Sequence, residues 1–216
     1  MGVIIRIVPR RRITREEQQA QTRSRLLAAA ARVFARHGYA GASIAQIAEE
    51  AGYSHGAVYS NFKDKRDLFM ALYEGWVAKR VSEIEAARPH AASLAERARS
   101  GADEWMRRVG GDPDAFLLRL EFTAGAARDA DLRRQLGTRV GAVPLVIQRL
   151  LEDATDAEAL ESSLPAEDVA LGLQALSLGL ALEAVVDPDA VRPGLAGDLA
   201  ELLVTGLMAG DRPKPS

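Results

Sequence analysis

Hydrophobic positions in this chain recur at three- and four-residue spacing, the pattern of amphipathic α-helices. The first such face begins after Thr22 and consists of Leu26, Ala29, Ala30, Val33 and Phe34. The pattern predicts a helix of about four turns that stops at Gly38, a residue suited to the left-handed conformation of a helix end. No stretch alternates apolar and polar residues as a half-buried strand does. We therefore expect an all-α protein with about nine helices.

The later part of the chain continues this pattern and becomes rich in alanine and leucine. Helices are predicted near residues 65–86, 90–109, 113–127, 130–152, 166–186 and 192–209. The breaks between them coincide with proline, glycine and aspartate, which favour turns. We expect a flexible basic arm over residues 1–21, a helix-turn-helix domain over 22–80 and a larger helical domain over 81–216.

Two short helices in the first part are joined by a glycine. Ser43 and Gln46 form the sequence pattern of a capping box at the start of the first helix. Gly52 ends that helix, and Ser54 caps a second helix that extends to about Asn61. Apolar inner faces, a small residue at the crossing and a glycine at the turn are the requirements of a helix-turn-helix. The pattern therefore predicts that the second helix lies in the major groove of DNA.

Short polar residues on this helix and basic residues near it are the candidate DNA contacts. They are Ser43, Ser54, His55, Gly56, Tyr59, Ser60, Asn61, Lys63 and Lys65, with Arg10, Arg11 and Arg12 in the arm. Backbone amides and short side chains at a helix amino end can reach phosphates and base edges. The alternatives are that the serines only cap helices, that His55 is an ordinary surface histidine and that Tyr59 is half-buried.

The charge distribution agrees with a polyanion-binding module. Residues 1–65 carry 11 Lys plus Arg and 5 Asp plus Glu, whereas residues 66–216 carry 17 and 25. A basic first third joined to an acidic remainder favours a nucleic-acid partner for the first domain. A basic amino-terminal tail that arises by chance is the alternative interpretation.

The first domain resembles a known family. Residues 30–39, 43–52 and 58–68 are similar to the amino-terminal DNA-binding domain of TetR/AcrR-type transcriptional regulators. The resemblance implies that Tyr59 and Lys65 contact phosphates, that residues 54–61 contact bases, and that the remaining chain binds a ligand and dimerises. Many relatives have an aromatic residue and a histidine where this chain has Ser60 and Asn61, so an operator sequence cannot be carried over.

Two predicted helices near the carboxyl end have apolar residues on several faces, which indicates broad burial. The candidate dimer contacts are Gly172, Ala175, Leu176, Gly179, Leu199, Leu202, Leu203 and Gly206. Glycine within a helix costs about 1 kcal/mol, so glycines seven residues apart suggest close approach of another helix. We expect a four-helix interface in a homodimer; packing within one subunit is the alternative. Two recognition helices about 34 Å apart would fit a roughly palindromic operator.

The middle helices are expected to surround an effector pocket. Its candidate residues are Trp105, Met106, Phe116, Leu120, Glu121, Phe122, Val140, Ile147, Gln174 and Ser177. The alternative for each apolar member is an ordinary core position. A small, largely apolar ligand would shift the population toward a conformer that binds DNA poorly, through the helix near 65–86.

Other function classes lack sequence support. The chain has no cysteine, its three histidines are isolated, and it carries no phosphate-binding glycine loop or nucleophile elbow. We therefore predict that the protein has no catalytic activity, cofactor or metal and no membrane-spanning segment. We expect it to be a repressor in the cytoplasm, associated with the nucleoid. The alternative is a helical regulator or interaction protein without a small-molecule effector, whose binding would not depend on salt if its partner were not DNA.

Overall fold

Helices form the secondary structure of this computed structural model, which describes residues 14–86, 93–158 and 164–208. They are α1 (Arg15–Gly41), α2 (Ile44–Ala51), α3 (His55–Tyr59), α4 (Lys65–Ala86), α5 (Leu94–Gly111), α6 (Pro113–Ala126), α7 (Ala130–Val140), α8 (Ala142–Glu158), α9 (Ala166–Val186) and α10 (Leu195–Met208). These ranges contain no strand, so the predicted all-α class is confirmed. The chain divides into two compact units, Met1–Leu72 and Tyr73–Ser216.

Helix α1 begins earlier than the hydrophobic pattern predicts. Thr14 Oγ1 accepts a hydrogen bond from the Glu17 amide at 3.1 Å, and Glu17 Oε2 accepts one from the Thr14 amide at 2.8 Å. This reciprocal capping box satisfies two amides that helix formation leaves without partners. Residues 15–21, which we expected to lie in a flexible arm, are therefore helical. The three arginines proposed for the arm, Arg10, Arg11 and Arg12, lie outside the described residues.

The carboxyl end of α1 bends at the predicted glycine. Gly38 has φ 67° and interrupts the helical geometry within α1. An aromatic cluster lies next to this bend. The centre of the Phe69 ring is 5.1 Å from the ring centres of Phe34 and Tyr39, and both pairs are arranged edge to face. Such pairs stabilise a core beyond the burial of their area. The cluster fixes α4 against α1 within the first unit.

The first unit buries the inner faces that the spacing predicted. Its fully buried side chains include Leu26, Val33, Phe34, Ile47, Val58, Phe62, Leu68 and Phe69. Across the surface, Glu50 of α2 pairs with Arg32 of α1 at 2.7 Å and also with Arg36. Hydrogen bonds from Arg36 and Arg32 lower the pKa of Glu50. Helix α2 is therefore joined to α1 by an apolar interface and by an ionic one.

The stretch 130–152, predicted as one helix, consists of two helices. Gly141 is a turn residue between α7 and α8, although its amide still donates to the Gly137 carbonyl at 3.1 Å. Pro144 lacks an amide hydrogen and is tolerated only in the first turn of a helix. Gly137 and Gly141 are poor helix formers. These three residues together explain why α7 ends and α8 begins here.

In the second unit, α5 packs against α10, and α9 packs against α8 and α5. The largest buried cluster contains Leu94, Ala102, Leu151, Ala154, Val169, Ala170, Leu173, Ala196, Ala200 and Val204. A second cluster surrounds Trp105, Val109 and Phe116. The second unit is thus a helical bundle whose core comes mainly from α5, α8, α9 and α10.

Helix α9 is unusually apolar. By length and composition it could cross a membrane, because an 18-residue window has mean hydropathy 1.9, yet only 22% of that window is buried in the chain. This contradicts our expectation that no segment is apolar enough to cross a membrane. Val169, Ala170, Leu173 and Ala181 are buried, whereas Leu171 and Val186 are 58% and 74% exposed. Helix α9 therefore has one apolar side in the core and another that the described part of the chain leaves exposed.

Candidate DNA-binding surface and ligand cavity

The turn between α2 and α3 has the predicted geometry. Gly52 adopts a left-handed conformation with φ 70° and ψ 31°, which residues with a β-carbon rarely adopt. The Ser43 hydroxyl accepts from the Gln46 amide at 3.3 Å, and the Ser54 hydroxyl accepts from the Ala57 amide at 3.2 Å. Both serines therefore cap helices as the sequence suggests. The chain reverses sharply, and α3 begins at an exposed end.

Helix α3 is short and is held from one side. Val58 and Phe62 have side chains that are 0% and 1% exposed. On the other side, Tyr59 is 57% exposed, and Ser54, His55 and Gly56 are also exposed. The regular helix covers His55–Tyr59, which is shorter than the predicted 54–61. An anchored helix with one polar, exposed face is the arrangement that DNA recognition requires.

Ser60 and Asn61 direct their side chains back to the protein. The Ser60 hydroxyl donates to the Ala57 carbonyl at 2.9 Å, and Asn61 Nδ2 donates to the same oxygen at 2.8 Å. The backbone carbonyl of Asn61 accepts a hydrogen bond from Arg23 at 2.9 Å. The Arg23 guanidinium also lies 4.3 Å from the centre of the Phe62 ring. These contacts hold the end of α3, where Ser60 is exposed and Asn61 is half-buried.

The two lysines proposed as phosphate contacts differ. Lys63 is exposed, and its backbone amide donates to Asp67 Oδ2 at 2.9 Å. The Lys65 ammonium donates to the carbonyl oxygens of Tyr39, Ala40 and Ala42 at 2.9, 3.3 and 2.8 Å. An ammonium group has three hydrogens to donate, so these bonds use all of them. Lys65 therefore secures the end of α1 instead of pointing to solvent.

The second unit contains a cavity of about 230 Å³. Six predicted pocket residues line it: Trp105, Phe116, Leu120, Ile147, Gln174 and Ser177. Three other candidates do not: Met106 and Phe122 belong to the core, and Glu121 is exposed. The remaining candidate, Val140, has a side chain outside the described residues. Apolar spacing alone does not distinguish a cavity wall from solid core, since both require burial.

Three arginines that the sequence analysis missed also line the cavity: Arg80, Arg97 and Arg119. Burial lowers the pKa of Arg80 to about 10, so the group stays cationic at neutral pH. Burial is also the main reason that the pKa of Arg119 is lowered. A signal was present in the sequence, because each arginine lies three or four residues from apolar positions on the same helix face, as Arg80 does from Val77 and Ile84.

The uncovered apolar face of the second unit lies on α9 and α10. It consists of Leu171, Ala175, Leu178, Gly179, Leu182, Val186, Leu202 and Gly206, all exposed. A β-carbon added at Gly172, Gly179 or Gly206 would contact nothing within 4 Å. The close approach that these glycines suggested is therefore not made by any of the described residues. Leu176, Leu199 and Leu203, which we also proposed as dimer contacts, are half-buried in the chain.

Comparison with known families identifies this architecture. The model for bacterial regulatory proteins of the tetR family matches residues 26–72, which include α2, α3 and their turn. A model for the carboxyl-terminal domain of BetI-type transcriptional repressors matches residues 94–209, more than half of the chain. The chain therefore belongs to the tetR family and is a DNA-binding transcriptional repressor.

Individual relatives agree with this assignment. The HTH-type transcriptional repressor AcnR of Corynebacterium efficiens is 28% identical over 167 residues, which cover 76% of this chain and 81% of that protein. A putative transcriptional regulator from Pseudomonas aeruginosa PAO1 superposes with a TM-score of 0.77 at 24% identity, over 93% and 96% of the two chains. FadR from Bacillus subtilis, solved with stearoyl-CoA, has a TM-score of 0.72 at 20% identity, over 85% and 98%. The two structural similarities establish a shared fold.

Proposed function

We propose that this repressor binds a roughly palindromic operator as a homodimer, with one α3 of each chain in a major groove. The observation that carries the proposal is α3 itself, which is anchored by buried Val58 and exposes Ser54, His55, Gly56 and Tyr59. The major groove is about 12 Å wide and admits one helix. Short side chains at the start of α3 allow its backbone to approach the base edges closely.

The contacts divide by chemistry. We assign base contacts to Ser54, His55 and Gly56, which occupy the exposed start of α3. Exposed Tyr59, Lys63 and Ser43 are assigned to phosphates, which position the helix without reading sequence. Ser60, Asn61 and Lys65 are assigned to holding the unit together, because their side chains bond to backbone carbonyls of the chain.

The homodimer is proposed to form through the apolar face of α9 and α10. An exposed apolar stripe of this length is unusual on a soluble monomer and marks an interaction surface. Glycines that contact nothing within 4 Å allow another helix to approach closely. A dimer would supply the second recognition helix, which doubles the operator surface contacted. Regulators of this family are soluble cytoplasmic proteins, and we propose that operator binding associates this one with the nucleoid.

The cavity is proposed to bind a small effector that releases the operator. Helix α4 contributes Leu68 and Phe69 to the core of the first unit, and Tyr73, Val77 and Arg80 to the cavity wall of the second. A ligand that binds best when α4 is displaced would therefore lower the population of the DNA-binding conformer. The ligand can lower the operator affinity by no more than the ratio of its own affinities for the two conformers.

A paired assay tests release. A labelled operator, selected from random DNA with the purified protein, is followed by fluorescence anisotropy while small compounds are added. We expect some compounds to lower operator affinity, and Ala98→Phe, which fills the cavity wall, to abolish the response while DNA binding persists. If a broad panel of apolar compounds never changes operator affinity, the effector role is contradicted and the alternative of a regulator without an effector is favoured.

A further inference from the structure

The cavity wall combines an apolar lining with an unusual set of charges. Arg80, Arg97 and Arg119 line the cavity, and no aspartate or glutamate does so among the described residues. The three side chains are half-buried, and a cation that is partly removed from water without a paired anion is costly. A cavity intended for a neutral apolar compound would gain nothing from three such groups. This excess of positive charge indicates the chemistry of the effector, an inference that rests on the effector role proposed above.

Two of the arginines lie against the same aromatic ring. The guanidinium carbon of Arg119 is 4.8 Å from the centre of the Trp105 ring, and that of Arg80 is 5.4 Å from it. Each is partly stabilised by attraction to the ring face. The two cations also repel each other, since both carry a positive charge. An anion placed beside Trp105 would interact favourably with both.

Nearby carboxylates do not remove this charge. Glu83 and Glu104 lie close enough to Arg80 to interact, but both also pair with Arg108, and Glu104 pairs with Arg107 at 2.6 Å. Asp112, which interacts with Arg119, accepts a hydrogen bond from the Ala115 amide as the cap of α6. The carboxylates are therefore shared or engaged.

Two polar groups in the wall lack partners. The Arg97 Nε and Gln174 Oε1 atoms are buried and have no hydrogen-bond partner among the described residues. Buried polar atoms in proteins are almost always hydrogen-bonded, so such groups in a cavity wall are available to a ligand. Arg97 requires an acceptor, which a carboxylate supplies.

We propose that the effector is a small organic carboxylate with an apolar body, whose head group binds beside Trp105 between Arg80 and Arg119. The apolar body lies against Val77, Leu120 and Ile147. At about 30 Å³ for each water-sized group, the cavity holds at least about eight non-hydrogen atoms. Acids of six to ten carbons, or an aryl carboxylate of similar size, have the required dimensions.

Matched ligands of one length test the head group. Binding of octanoate, 1-octanol and octylamine to the full chain is measured by calorimetry, with hexanoate, decanoate and 4-butylbenzoate as further acids. We expect at least one acid to bind at least tenfold more tightly than 1-octanol, and octylamine to bind least. Tighter binding of the alcohol or the amine, or no binding by any of the acids, overturns the carboxylate assignment. Operator release by 1-octanol alone would overturn it while the effector role stands.

Variants then locate the head group. Arg119→Met and Arg80→Met remove a charge and keep an apolar chain, so each is expected to weaken octanoate binding at least tenfold and to leave 1-octanol binding unchanged. Persistent 1-octanol binding also shows that the variant cavity is folded. Arg107→Met is the control, since Arg107 is exposed and does not line the cavity. Equal loss for both ligands, or no loss in either variant, overturns the assignment.

Discussion

The Lys65 ammonium nitrogen lies 2.8 Å from the carbonyl oxygen of Ala42, immediately after α1 ends. The same nitrogen lies 4.7 Å from the centre of the Tyr39 ring. A cation near the carboxyl end of a helix is favoured by the helix dipole and by unpaired carbonyls. The first residue of α4 thus fixes the end of α1 and the segment that leads into α2.

Replacing Lys65 should therefore lower stability more than replacing Lys63. Lys65→Met removes the ammonium donor from three carbonyl oxygens and should lower the free energy of unfolding by about 1 to 3 kcal/mol. Lys63→Met should change it by less than about 0.5 kcal/mol, because the side chain is exposed. Urea unfolding measures both. Equal stability of the two variants would contradict the assignment of Lys65.

Replacing Lys63 should act on DNA binding. Lys63→Gln removes one proposed phosphate contact from each chain of the dimer, so the slope of log affinity against log salt should become shallower by about 1.8. Lys79→Gln is the matched control, because Lys79 is exposed on α4 in the second unit. Anisotropy titrations of the selected operator at several salt concentrations measure the slope. An unchanged slope for Lys63→Gln would exclude Lys63 from the interface.

Lys63 and Lys65 show that the sequence predicts local features of the first unit better than contacts that depend on folding. The caps at Ser43 and Ser54 and the left-handed Gly52 follow from local patterns, and the structure confirms all three. The role of Lys65 does not, because it depends on backbone carbonyls more than twenty residues away that folding brings near. The Thr14 capping box is visible in the sequence as Thr14 and Glu17, although the apolar spacing that predicts α1 begins only after Thr22.

The cavity shows the same limit. Trp105, Phe116 and Ile147 were predicted because aromatic and branched side chains at helical spacing favour the interior. Arg80, Arg97 and Arg119 were not, since arginine is seldom buried, although their spacing places them on the same faces. Whether a buried face encloses solid core or a cavity depends on how helices pack, which spacing within one helix does not determine.

The dimer interface can be tested with one charged substitution. Leu182→Glu places a carboxylate on the apolar face of α9, so sedimentation at micromolar concentration should show a monomer with weak operator binding. Leu145→Glu on α8 is the control, since Leu145 and Leu182 are 45% and 40% exposed. The control should remain dimeric. Unchanged assembly of Leu182→Glu would place the interface elsewhere.

Acid should weaken the contact between α1 and α2. Hydrogen bonds from Arg36 and Arg32 lower the pKa of Glu50 below the ordinary 4.5. A carboxyl with a lowered pKa in the folded state stabilises the fold above its unfolded pKa, and this contribution is lost as pH falls through the folded value. Glu50→Gln should therefore lower the Tm at neutral pH, with the difference from the unsubstituted protein shrinking below pH 4.5.

The control for Glu50 is its neighbour. Glu49 is exposed, so Glu49→Gln should change the Tm little at any pH. Thermal unfolding followed by circular dichroism from about pH 3 to pH 7 covers the range in which carboxyl groups titrate. A Tm difference for Glu50→Gln that stays constant down to pH 3 would show that the ion pairs with Arg32 and Arg36 contribute nothing.

The central claim is that two copies of α3 read an operator, and sequencing of random DNA duplexes retained by the purified protein tests it most directly. We predict an enriched inverted repeat, bound by two chains, whose enrichment is lost when His55 and Tyr59 are replaced by alanine. Retained DNA with no enriched sequence, or a site bound by a single chain, would contradict the account.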